Sequence, residues 1–395
     1  MENEGMINYR YARRAEILGK SIYDHAPGAI VLNSGLAYPP LLPDVAREAE
    51  IASGRAKETM QYGPLMGLDD LRDQIVRYVA ADGISCKREN VLVTNGAKHA
   101  LDLACRVFVE PGDRVIVTRP TYMTALINMR THGVTFLEIP QDREGIDCEF
   151  LEAELARLAN CGERMPKLLF DVPDFHNPTG ITMSLGRRRR LLGMAKRYGF
   201  VICEDDPYRR IRFEGEPISP LKALDEHGVV IALGTVSKIL SPGLRTGWAI
   251  APAEVAERMS MQKSEGGSSP FLQRVVAELM RSNRMSEHIE AVASRMRIHR
   301  DTMVASLARE LPDAEVRAPS GGYFLWARLP EGVSAENVAA RACEQGVEVS
   351  PGGMSFPGSD PGNYLRFAYS YPGPDEIREG IRRLGRAFRA EARKD

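Results

Sequence analysis

The segment GTVSKILSPGLRTGWAIAP, residues 234 to 252, sets a single lysine, Lys238, behind an apolar run and places Arg245 seven residues later across a Ser-Pro-Gly turn. A lysine attacks carbonyls when burial or a neighbouring cation depresses its pKa, and Arg245 is available as that cation. Three other short segments carry groups that could serve the same carbonyl. CEDDPY supplies two acids, Asp205 and Asp206, and a phenol, Tyr208; HNPTG supplies the amide of Asn177. Asn95-Gly96-Ala97-Lys98 opens a helical pattern whose first-turn N–H groups and positive dipole end suit a phosphate. Taken singly these are ordinary features: Asn-Pro is a common turn, adjacent acids cap helices, and a lone lysine is a surface charge.

The elements around these segments give them meaning together. Between about residues 66 and 250, short apolar runs alternate with helical patterns. NVLVT (90–94) leads into AKHALDLACRVFV, then come RVIVT (114–118), VTFLEIP (134–140), KLLFDVP (167–173), the helix SLGRRRRLLGMAKRYG (184–199), FVICEDD (200–206) and VVIALGT (229–235). Runs this apolar, separated by helices, predict a mostly parallel sheet buried on both faces, and so an α/β fold. After about residue 270 the pattern turns to long charged helices, from SPFLQRVVAELM to RIHRDTMVASLAREL, then GGYFLWARL, YLRFAYS and a last amphipathic helix near Asp375. That predicts a second α+β lobe, which the N-terminal arm joins. The run Arg187 to Arg190 falls on a helix whose Leu191, Leu192, Ala195 and Tyr198 form the apolar stripe, so it is expected to be a solvated face.

Open α/β sheets bind ligands outside the carboxyl ends of their strands, where each reactive segment falls. An amine, a carboxylate, a phenol, an amide and a phosphate-binding turn in one pocket fit pyridoxal 5′-phosphate. Its aldehyde needs the lysine, its pyridine nitrogen a carboxylate, its ring oxygen a phenol and an amide, and its phosphate a helix N-terminus and an arginine.

The bulk composition narrows the field. The 395 residues are 44% hydrophobic and 27% charged, with 52 basic against 53 acidic side chains and a net charge of −1. This length suggests two lobes with a cleft, and the balanced charge argues against nucleic-acid or membrane-surface partners. The six cysteines are scattered without Cys-x-x-Cys or zinc-type spacing, as expected of reduced thiols in a cytoplasmic protein, and no metal site is expected. The N-terminus lacks an apolar leader, and no stretch has the roughly 18 apolar residues of a membrane helix.

In order along the chain, PGAIVLNSGLAYPPLLP, QYGPLMGLDDLR, PGDRVIVTRPTY, HNPTG, EDDPY, SKILSPGLRTGW and YLRFAYS resemble the fold-type I, class I/II aminotransferases, and within them the 2-aminoadipate and kynurenine aminotransferase branch. The resemblance implies a large domain over 45–285, with a mostly parallel seven-stranded sheet between helices, and a smaller α+β domain formed by 1–44 and 286–395. It implies a ping-pong transfer of an amino group from an L-amino acid to a 2-oxo acid. Lys238 is then the Schiff-base lysine that also moves the substrate α-proton, Asp205 pairs with the pyridine nitrogen, Asp206 is its structural neighbour, and Tyr208 and Asn177 hold the ring oxygen. Tyr122 stacks on the ring, while Gly96, Ala97, Lys98, Thr235, Ser237 and Arg245 hold the phosphate. Tyr62 of QYGP reaches the phosphate of a neighbouring subunit, which implies a homodimer with shared sites. Arg366 grips the substrate carboxylate in a bidentate fork, with Asn177, Gly35 and Ser34 beside it.

Four departures from the family pattern stand out. Ala97-Lys98 replaces the more usual Ser-Gln, GTVSK replaces Ser-aromatic-Ser-Lys, His176 precedes Asn177 where glutamine or arginine is usual, and LNSGLAYP replaces a Gly-Gly-Leu-Pro turn. The last two are expected near the substrate. Racemase, β-lyase, decarboxylase or oxidative cyclase chemistry could use nearly the same residues, but a carboxylate held in the ring plane by Arg366 favours transfer over decarboxylation. A cofactor-sensing regulator is the other alternative, but the roughly 30 residues before VLNSG are too few for a winged helix. Arg13, Arg14, Tyr23, Asn33, Ser34, Leu36 and Tyr38 are available for the side-chain pocket, and they suit acidic, aromatic or aliphatic donors.

Overall fold

The computed structural model describes residues 10–16, 24–282 and 284–393, without the side chains of Arg13 and Glu16. Tyr23 lies outside the described residues. The central sheet comprises β1 (Val91–Thr94), β2 (Arg114–Arg119), β3 (Thr135–Asp142), β4 (Gly145–Ile146), β5 (Leu168–Asp171), β6 (Val201–Asp205), β7 (Val230–Thr235) and β8 (Gly247–Ile250). Their order across the sheet is β1-β8-β7-β6-β5-β2-β3-β4. Strands β7, β6, β5, β2 and β3 run parallel, and β8 lies antiparallel between β7 and β1.

Eight strands therefore stand where seven are expected. The extra one, β4, is a two-residue return of the β3 chain pairing Gln141 with Ile146. β8 is not among the apolar runs read as strands, because its GWAI is short and continues a loop rich in glycine. β1, β5, β7 and β8 are buried along their whole length, as strands covered on both faces require.

The second lobe is built on an antiparallel sheet. Phe324–Arg328 lies between Glu315–Val316 and Tyr364–Ala368, and Ser350–Pro351 pairs with the far edge of the latter. Helices Arg284–Glu310, Ala335–Glu344 and Pro374–Ala392 cover it. The N-terminal arm is stitched on by a parallel pairing of Ile30–Val31 with Val347–Glu348.

The arginine run departs from its expected role. In helix Leu185–Tyr198, Arg188 is fully buried, donating to Asp174 at 3.1 Å and to the carbonyls of Met183 and Ser219. A fully buried charge is stable only when paired and hydrogen-bonded, so Arg188 is a structural tie between the helix and the HNPTG loop. Arg189 and Arg190 do face solvent. Among the described residues no helix is long and apolar enough to cross a membrane.

Candidate active site

A cavity open to solvent lies at the carboxyl ends of β1, β5, β6 and β7 and reaches across to the second lobe. Lys238 lies three residues beyond β7, and its Nζ donates to the Gly35 carbonyl at 2.6 Å. Its backbone carbonyl accepts from the Tyr323 hydroxyl at 2.6 Å, which fixes the turn that presents the amine. Desolvation lowers the Lys238 pKa to about 8, with Lys98 and Arg366 acting in the same direction and Asp205 against them.

The cation expected to depress Lys238 was Arg245. The structure instead gives that part to Lys98 and Arg366, and turns Arg245 toward the Gly96 turn. Replacing Lys98 by glutamine removes one of the two cations, so the Lys238 pKa should rise from about 8 toward the ordinary 10.5. In the cofactor-free protein, the pH midpoint for reductive methylation of Lys238, followed by peptide mass spectrometry, should move upward. An unmoved midpoint contradicts this assignment of charge.

Asp205 ends β6 and is buried, and its Oδ1 has no hydrogen-bond partner. Burial and the neighbouring Asp206 push its pKa up to about 7. A buried acceptor in this state is completed by a cationic N–H donor, which a protonated pyridine provides. Asp206 points elsewhere, accepting from Arg209 Nε at 2.6 Å. The two acids of EDDPY are thus separated by strand alternation, one toward the cavity and one into a charge cluster.

Buried Tyr208 sits edge-on to Phe324, with ring centroids 6.0 Å apart, and burial raises its pKa well above the usual phenol value. Asn177 is buried beside it, and Tyr122 forms another wall at the N-terminus of helix Met123–Arg130.

One end of the cavity is formed by three segments. Gly96, at φ 96°, adopts a backbone conformation that L side chains rarely take, and it opens helix Ala97–Phe108 toward the cavity. Thr235 Oγ1 lies 2.9 Å from Ser237 Oγ. Arg245 donates to the Asn95 carbonyl at 2.7 Å, so its guanidinium spans the Gly96 turn. Its own φ of 45° is a left-handed conformation uncommon outside glycine, a strain found at sites where a side chain must be aimed. These donors and the helix dipole match a phosphate in charge and geometry.

At the other end, Arg366 stands at the centre of the small sheet, opposite Trp326 and Ser350. Its guanidinium stacks 4.8 Å over the Phe324 ring and donates to the Asn33 carbonyl at 2.7 Å and to Asn177 Oδ1 at 3.4 Å. Its Nε is buried without a partner. Gly35 and Ser34 form the adjoining wall. A Cβ at Gly35 would lie 2.6 Å from Phe324 Cζ, so only glycine lets this chain approach closely enough to offer its carbonyl to Lys238.

The predicted set is therefore brought together around one cavity, apart from Tyr62, which is 84% exposed and stands away from it against Gly266. His176 is a correction: it does not line the cavity. Its ring turns into the core between Thr118 Oγ1 (3.1 Å) and Thr179 Oγ1 (2.9 Å), and burial lowers its pKa to about 3. Phe324 and Tyr323 were not singled out from the sequence, since both read as alternating residues of a half-buried strand. The role of Tyr323 comes from Lys238, 85 residues away in the chain, and that of Phe324 from Gly35 and from Arg366 on the neighbouring strand.

Comparison with known proteins agrees with this geometry. The profile of the aminotransferase class I and II family matches residues 28–384. Aromatic-amino-acid aminotransferase 1 of Thermococcus litoralis is 35% identical over 372 residues, 92% of this chain and 89% of that protein. The structure of Pyrococcus horikoshii kynurenine aminotransferase superposes with a TM-score of 0.90 at 33% identity, covering 96% of this chain and 97% of that one. The α-aminoadipate aminotransferase of Thermus thermophilus, complexed with N-(5′-phosphopyridoxyl)-L-leucine, superposes with a TM-score of 0.88 at 34% identity, covering 97% and 98%.

The fold and the cavity define a fold-type I pyridoxal-phosphate enzyme. The chain belongs to the class I and II aminotransferases, and its activity is pyridoxal-phosphate-dependent transamination between an amino acid and a 2-oxo acid.

Proposed function

We propose that transamination is carried out by the groups lining this cavity, with Lys238 as the base and Arg366 as the carboxylate holder. The observation that carries the reading is one cavity lined by the orphaned carboxylate of Asp205, the low-pKa amine of Lys238 and the unpaired Nε of Arg366. When bound, pyridoxal 5′-phosphate supplies an aldehyde for the amines and an electron sink for bonds at the α-carbon. Asp205 would keep the ring nitrogen protonated. Tyr208 and Asn177 would hold the ring oxygen, Tyr122 would face the ring, and the Gly96–Lys98 turn with Thr235, Ser237 and Arg245 would hold the phosphate. Arg366 would fix the donor carboxylate so that its Cα–H faces Lys238, whose neutral amine would take up and hold that proton at Nζ.

Donors with aromatic or acidic side chains fit the spread of activities among the relatives, which include aromatic-amino-acid, kynurenine and α-aminoadipate aminotransferases. Arg366→Gln is expected to raise the KM for every donor by about 100-fold or more while the holoenzyme keeps its cofactor spectrum. An unchanged KM would remove Arg366 from the reading.

The large domain is taken as 45–285 and the small one as 1–44 with 286–395. The working assembly is a homodimer, in which exposed Tyr62 completes the partner's phosphate site. Sedimentation should give twice the 43.8 kDa chain mass, and a fully active monomer would refute shared sites. The six free cysteines suit the cytoplasm, which fractionation of cells producing the protein can test.

A further inference from the structure

The substrate end of the cavity is held by a group that does not line it. Glu348, in the strand paired with the N-terminal arm, accepts three hydrogen bonds, all from that arm. His25 Nδ1 lies 2.6 Å from Oε2, the Ala26 N–H donates to Oε1 at 2.9 Å, and Asn33 Nδ2 donates to Oε2 at 3.3 Å. The side chain of Glu348 is 14% exposed and that of His25 17%. Between the two ends of this clamp, backbone bonds run the arm along the strand: Ile30 N–H to the Gly346 carbonyl at 2.9 Å and Leu32 N–H to the Glu348 carbonyl at 2.8 Å.

The segment so fixed delivers its next carbonyls to the reactive side chains. Asn33 O accepts from Arg366 at 2.7 Å, and Gly35 O accepts from Lys238 Nζ at 2.6 Å. The carboxylate has no hydrogen to donate, so the Asn33 amide must face it with its nitrogen, which fixes the rotation of the side chain beside that carbonyl.

We propose that Glu348 is a positioning residue for substrate binding: by clamping His25, Ala26 and Asn33 it sets the Asn33 carbonyl that orients Arg366 for the donor carboxylate. The inference rests on the reading of Arg366 as the carboxylate holder. An arginine forks a carboxylate only when its plane is fixed. One of its nitrogens takes its direction from Asn33 and another from Asn177, so loosening the arm removes one of its two hydrogen bonds and leaves the stacking on Phe324. Groups outside the reacting centre that orient those inside it act on binding geometry while leaving the chemistry intact.

The test is steady-state kinetics of the holoenzyme carrying Glu348→Gln, with phenylalanine and glutamate as donors, beside inhibition by 3-phenylpropanoate and glutarate, carboxylates that lack the amino group. Glutamine can keep the bond from Ala26, but the NH2 that replaces Oε2 cannot accept from Asn33 Nδ2 or from a protonated His25 Nδ1. The KM values and inhibition constants are expected to rise about 10-fold, with kcat within about 3-fold, and the melting temperature and cofactor spectrum unchanged. Glu348→Asp, which keeps the charge, should recover part of the affinity. An unchanged KM and inhibition constant in the folded Glu348→Gln protein overturns the proposal. So does a loss of kcat alone.

Should Glu348→Gln fail to fold, Asn33→Ala cuts the 3.3 Å link alone, and the same split decides: a raised KM supports the clamp and an unchanged KM overturns it. Arg366→Gln in the same assay separates the two levels. If it too leaves KM unchanged, the carboxylate-holder reading falls and the clamp with it. If it raises KM while Glu348→Gln does not, the clamp alone falls.

Discussion

Lys238→Ala is expected to bind cofactor and to lose turnover by about 10⁴-fold or more, because one side chain serves as both nucleophile and base. The effect is this large because, among the described residues, no other amine stands in its place. Lys98 starts a helix at the solvent edge of the cavity, and Arg245 and Arg366 carry guanidinium groups in place of an amine. The phosphate end stays intact in the variant, since the Gly96 turn, Thr235, Ser237 and Arg245 are untouched, so the cofactor should remain in stoichiometric amount after gel filtration. Measured rates of donor consumption in the loaded variant check this directly. Rates near those of the parent protein would mean that Lys238 is a structural amine.

The second large effect has two opposite signs. In the cofactor-free protein, Asp205 binds its proton up to about pH 7, whereas an exposed aspartate loses it near 3.9. The folded state therefore holds a proton that the unfolded state has released, and stability falls as pH rises from about 4 to 7. At neutral pH the buried carboxylate costs on the order of a few kcal/mol. Asp205→Asn removes that cost with little change of shape. The cofactor-free variant should melt higher than the parent at pH 7, and the difference should vanish below about pH 4, where both side chains are neutral. The loaded variant should lose transamination by about 10²-fold or more, because an amide cannot hold the ring nitrogen protonated. Asp206→Asn should not show this pattern, since Asp206 is paired with Arg209 outside the cavity. Were the cofactor-free Asp205→Asn protein less stable than its parent at pH 7, the carboxylate would have an unseen partner.

Much of this architecture was legible because it depends on local pattern. KLLFDVP and VVIALGT announce buried parallel strands, and β5 and β7 fall within a residue or two of them. The reactive groups could be grouped because parallel strands put their carboxyl ends side by side, so segments far apart in sequence must meet. Contacts that depend on the tertiary fold were not legible. Ile30–Val31 is a two-residue strand whose only reason to exist is a partner more than 300 residues on. Arg188 looks like its three neighbours in the run, and only the approach of Asp174 explains its burial. His176 is next to Asn177 in the chain, yet alternation along the loop sends one ring into the core and the other side chain into the cavity. Phe324 gained its role from the close passage of Gly35 over its ring, which no periodicity encodes.

The measurement that bears most directly on the assignment is a single-turnover reaction of the loaded enzyme with individual L-amino acids in the absence of any 2-oxo acid. The absorbance of the aldehyde form of the cofactor should give way to that of the amine form, with one equivalent of the matching 2-oxo acid released per site, and a second 2-oxo acid should restore the starting spectrum. If instead product or ammonia accumulates over many turnovers while the aldehyde form persists, the cavity carries out a different reaction and transamination is contradicted.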